Sequence, residues 1–148
     1  MAHTTKRKLP RSLLVLVATC CSLLLAACGS LGSRSGAQPC NQGVCKAEVS
    51  VQWCWGGMLS VIPDPIHVPA PNNIEWTIVT PGFSFTNNGI VINGSGFAPR
   101  PGVTGNGKKF IVHDDHSDIR PNIKYAVRVV RDSDGAVCRP LDPMISND

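Results

Sequence analysis

The chain has 148 residues, 43% of them hydrophobic but only 5% aromatic, and a formal net charge of +4. Four of its bases, Lys6, Arg7, Lys8 and Arg11, precede residue 28 in a stretch that holds no acid, so the remainder carries ten bases against ten acids. A formally neutral domain lacks the basic excess that a phosphate-binding face needs, which excludes nucleic acid as an expected partner.

Residues 1–12 are polar and basic. From Leu13 to Ala27 the chain is apolar for about 15 residues, short of the ~20 that a bilayer-spanning helix needs. A basic start, a short apolar core and small residues at its end have the order of a cleaved, helical secretory signal peptide. Lys6-Arg7-Lys8 has no adjacent arginine pair, so general secretion is expected rather than the twin-arginine route.

The apolar run closes in Leu25-Ala26-Ala27-Cys28 and continues as Gly29-Ser30. This stretch resembles the lipobox of bacterial lipoproteins. The resemblance implies diacylglycerol on the Cys28 sulfur, cleavage before Cys28 and acylation of the new amino group. Two or three acyl chains anchor stably where one does not. It further implies that residues 1–27 are removed, that the membrane is a partner through the anchor, and that the site is the cell envelope. With Gly29 after the cysteine, a Gram-negative host would place the protein in the outer membrane, facing the periplasm. Residues 28–39 (Cys28, then Gly-Ser-Leu-Gly-Ser-Arg-Ser-Gly-Ala-Gln-Pro) read as a lipidated, flexible tether of roughly 20 Å coil dimension.

Beyond Cys28 four cysteines remain: Cys40, Cys45, Cys54 and Cys138. An even count in an oxidising compartment points to two disulfides, for which three pairings exist. Cys40–Cys45 around Asn41-Gln42-Gly43, with Cys54–Cys138 across the domain, is the favoured one. Zinc is disfavoured, because Cys40 and Cys45 have C-x₄-C spacing but Cys54 and Cys138 supply no second knuckle.

From Cys45 onward, Gly, Pro, Asn, Val and Ile prevail and no helix is predicted. Ala47–Trp53 alternates with period two, as a half-buried strand does. Leu59–Val61 and Ile66–Val68 flank the kink Pro63-Asp64-Pro65, and Ile74–Ile78 alternates again. Phe83–Thr86 and Gly89–Ile92 flank Asn87-Asn88, which reads as a hairpin turn. Phe110–Val112, Ile123–Val129 and a short strand near Ala136–Cys138 complete the set. The expected fold is all-β: an antiparallel β-sandwich of seven or eight short strands over residues 40–148. Its inward set is Val49, Val51, Trp53, Ile74, Trp76, Ile78, Phe85, Tyr125, Val127 and Val129. At the level of pattern it looks like cupredoxin-like or immunoglobulin-like sandwiches.

The cupredoxin likeness raises copper. In that family a late loop carries Cys, His and Met; here Cys138-Arg139-Pro140-Leu141-Asp142-Pro143-Met144 has no His. His113-Asp114-Asp115-His116-Ser117-Asp118 is the densest polar cluster. It is foremost a solvated turn, with His113, Asp115 and His116 as the only weak metal candidates and His67 as the other histidine of the domain. Gly102–Lys109 nearly matches a phosphate loop, but Lys109 stands where the Mg²⁺-binding hydroxyl belongs and a strand follows, so it reads as a flexible turn and no nucleotide is expected. No nucleophile elbow and no free cysteine point to catalysis.

The expectation is therefore a non-catalytic, lipid-anchored binding or structural module without a cofactor, whose partner is an envelope protein or the envelope itself. An exposed apolar cluster on the folded surface is its mark. A periplasmic metal-handling protein using His113 and His116, and a small envelope hydrolase, are the alternatives.

Overall fold

The structure, a computed structural model, describes residues 40–147. The signal peptide, Cys28 and the tether lie outside the described residues. Within them the chain is all-β and no helix occurs. Nine strands follow in order: β1 (Val44–Trp53), β2 (Met58–Ile62), β3 (Ile66–Val68), β4 (Asn72–Ile78), β5 (Phe83–Ile92), β6 (Phe97–Thr104), β7 (Lys109–Asp114), β8 (Ile123–Arg131) and β9 (Met144–Asn147).

They form a five-stranded sheet, β2-β1-β4-β7-β6, and a four-stranded sheet, β3-β9-β8-β5. Most neighbours are antiparallel, but β1 runs parallel to β4 and β3 parallel to β9. The chain passes from one sheet to the other at Pro63-Asp64-Pro65, between β2 and β3. Proline has no N–H for the ladder, so it suits a corner where pairing stops.

The inner faces of both sheets meet in one core. Val49 and Val51 of β1, Ile74, Trp76 and Ile78 of β4, and Phe110 and Val112 of β7 are buried against Phe85 of β5 and Tyr125, Val127 and Val129 of β8. Strands β1, β4, β7 and β8 bury alternate residues, as a sheet packed on one face must. Trp76 and Tyr125 bring their ring centroids within 5.4 Å from opposite sheets. Phe85 meets Phe110 edge-on at 5.9 Å, also across the sandwich.

Four expectations are corrected. Trp53 is 62% exposed, not inward. The β1–β2 register shifts between Val51 and Trp53, so Gln52 and Trp53 both face out and Cys54 takes the next inward place. A bulge adds one residue and reverses the parity beyond it.

Asn87-Asn88 makes no hairpin. Phe83–Phe85 and Ile90–Ile92 both pair antiparallel with β8, so the chain keeps its direction and residues 86–89 bulge out of one continuous β5. The final strand is β9, whereas Val137 makes only an isolated bridge to Val130. Finally, Gly102–Thr104 belongs to β6, and only residues 105–108 form the turn to β7.

Candidate binding surface

Strands β1 and β2 form a hairpin whose tip is Cys54-Trp55-Gly56-Gly57. Cys54 is disulfide-bonded to Cys138, and Arg139 N–H donates to the Cys54 carbonyl over 3.1 Å. The tip is thereby clamped to the segment that follows β8. A Cβ on Gly56 would lie 2.9 Å from Cδ1 of Trp53, so the indole rests on the glycine backbone. Gly57 has φ +72°, and a Cβ there would lie 2.8 Å from Cδ of Arg139. Only glycine combines that left-handed backbone with so close a neighbour. Just before the bulge, Val51 N–H donates to Thr80 Oγ1 over 2.9 Å, which satisfies a backbone group that regular pairing would have used.

On this clamped tip three large apolar side chains face outward. Trp53 is 62%, Trp55 68% and Met58 55% exposed. Trp53 and Met58 are cross-strand partners. Val137, next to Cys138, is 61% exposed as well. Gln52, Trp53, Cys54, Trp55, Phe83 and Arg131 line a shallow groove of about 190 Å³. Arg131 donates from Nε and Nη2 to the Asp134 carboxylate, so the one charge in the lining is matched at its rim. That pair holds the Asp134 carboxyl below its ordinary value. Sequence reasoning placed Trp53 in the core and left Trp55 unassigned. The adjacent Cys54 and the Trp55-Gly56-Gly57 turn were the available signals.

Chain entry lies far from this tip. Cys40 and Cys45 are disulfide-bonded at the start of β1, around a turn in which Gln42 and Gly43 have positive φ. The ten residues of β1 separate that start from Trp53, about 30 Å at a strand's rise.

The histidine-rich segment is built as a turn. Asp114 ends β7 fully buried, and its Oδ1 accepts the His116 N–H over 2.8 Å. Asp115 Oδ1 accepts the Ser117 N–H over 2.9 Å, and Ser117 holds the Asp115 carboxyl below its ordinary value. His113 Nδ1 donates to Asn73 Oδ1 on β4 over 3.1 Å. His116 adopts φ 58°. His67 lies on β3, in the other sheet. Among the described residues no three His, Cys, Asp or Glu side chains are grouped to hold a metal ion, so His113, Asp115 and His116 are neighbours in sequence without forming a ligand set. Strand alternation is the reason: residues 113 and 114 point to opposite faces, and Oδ1 of Asp114 and Oδ1 of Asp115 each accept one of the turn's own N–H groups, while Oδ2 of Asp114 is buried without a partner.

Cys138 is bonded to Cys54 and offers no thiolate, and Met144 opens β9. A second depression of similar volume, lined by Ile90, Ile92, Phe97, Pro99 and Val112, carries no titratable side chain.

No family model matches this chain, and no curated protein matches it either.

Proposed function

We propose that the chain is a lipid-anchored envelope module that binds its partner through the Trp53–Trp55–Met58 surface and performs no chemistry itself. The observation that carries this reading is the exposure of two indoles and a thioether on a clamped hairpin tip. Burying such residues is the strongest driving force a surface can offer, and a rigid support spares the ordering cost of binding. Monomeric soluble domains seldom leave contiguous large apolar side chains in water without a use for them.

The lipobox resemblance at Cys28 supports the anchor and the envelope location. Of the two sandwich families it looks like, the cupredoxin-like one is the better fit. The immunoglobulin pattern is built of antiparallel sheets, and two strand pairs here are parallel.

Expression of the whole chain in a bacterium fed radiolabelled palmitate, beside Cys28→Ala, tests the anchor. Label on the mature band of the wild type alone is expected, and its absence from both overturns the anchored reading. Site-specific photocrosslinking from position 58 in cells tests the surface. Envelope adducts that weaken at least tenfold in Trp55→Ala are expected, and adducts indifferent to that change overturn the binding role.

A further inference from the structure

We infer that the groove between Trp53 and Trp55 takes a neutral polysaccharide of the cell envelope, stacking sugar rings on the two indoles; this rests on the binding role proposed above.

Size narrows what the groove can hold. The groove itself, at about 190 Å³, is the size of one or two sugar rings rather than of a helix or strand.

Charge points to a neutral ligand. The lining holds no carboxylate, and its single cation, Arg131, is already neutralised by Asp134. Among the groove's own lining residues an anionic lipid headgroup or phosphate polymer would find no unmatched positive charge; the exposed Arg139, beside Gly57, stands outside that lining. The ion pair uses Nε and Nη2 and leaves the Nη1 donors for a hydroxyl. Gln52 adds a carboxamide that both donates and accepts, and each indole adds an N–H.

Chemistry then selects the class. A pyranose has one face of C–H groups and a rim of hydroxyls. The C–H face suits the electron-rich face of an indole, and the hydroxyls suit neutral donors and acceptors at the edge. Gly56 beneath the Trp53 indole and the Cys54–Cys138 disulfide hold the platform in shape before the ligand arrives.

The test uses the full chain in detergent micelles. Purified peptidoglycan sacculi serve as the insoluble probe and a β-1,4-linked N-acetylglucosamine tetramer as the soluble one. Wild type is expected to sediment with sacculi, to be released by the tetramer, and to shift its tryptophan emission on titration. Trp76 is buried, so that shift reports on Trp53 and Trp55. Trp53→Ala and Trp55→Ala are each expected to weaken binding at least tenfold with both disulfides and the melting temperature retained. Wild type that neither sediments nor responds to the tetramer overturns the glycan inference. If crosslinks from position 58 then still depend on Trp55, the binding role stands with a protein as occupant. If they do not, both readings fail.

Discussion

Trp76 Nε1 donates to the Tyr125 hydroxyl over 3.1 Å, joining the two sheets by a hydrogen bond between side chains that are both buried. Their rings also pack at 58°. Burial pushes the Tyr125 phenol up, so the hydroxyl stays protonated throughout the ordinary pH range. Tyr125→Phe keeps the packing and strands the indole N–H. A loss of about 1–3 kcal/mol in unfolding free energy is expected in urea melts, with no change in sacculus binding, because the pair lies inside the sandwich.

The two disulfides are expected to differ in weight. Cys54–Cys138 spans 84 residues, and on the chain-entropy model its removal costs up to about 4.5 kcal/mol. Cys40–Cys45 spans five residues and is worth about 2 kcal/mol on the same model. Thermal melts of the paired serine variants check the order. Loss of Cys54–Cys138 also frees the hairpin tip, so glycan binding should fall with it, whereas loss of Cys40–Cys45 should leave binding intact.

Four carboxylates, three of them exposed and that of Asp118 largely covered, have lowered pKa values in the folded chain. Ser117 holds Asp115 down, Arg120 holds Asp118, the Ser84 hydroxyl and then Lys108 hold Asp132, and Arg131 holds Asp134. Groups held below their unfolded values contribute stability above the unfolded pKa of about 3.9 and lose it as pH falls through the lower folded value. Melting temperature should therefore be level from neutral pH down to about 4 as far as these groups decide it, and should fall below that. A fall already complete by pH 5 would contradict these pairs as the cause.

Gly96 has φ +80°, and a Cβ there would collide with Oδ1 of Asp115 and Oγ of Ser117. Gly96→Ala therefore strains the backbone and pushes apart the turn that follows β7. A loss of roughly 1–3 kcal/mol in chemical denaturation is expected. Ala98→Gly, two residues on, is the control that changes β6 without that collision.

Much of the fold was legible because a half-buried strand writes its geometry into the chain as a period of two. Val49, Val51, Ile74, Trp76, Ile78, Tyr125, Val127 and Val129 could each be placed inward on that ground alone, and all are buried. The reading failed where the period was broken. One extra residue after Val51 turned Trp53 outward, and that residue holds the candidate site. The turn preference of Asn87-Asn88 was outweighed because β8 pairs with the strand on both sides of it, and ladder hydrogen bonds over six registered residues exceed a local turn preference.

By itself the sequence determined the all-β class, the inward faces of most strands, and that four cysteines suffice for two disulfides, whose observed pairing is the favoured one of three. These are local properties: propensity, alternation and count. Only the tertiary structure decided which strands are neighbours, that two of the pairs are parallel, and that Trp53, Trp55 and Met58 share one exposed surface. Whether an indole serves as core or as platform depends on what lies across from it. A bulge, a disulfide and a glycine beneath the ring settle that, and each acts through contacts that no period in the chain encodes.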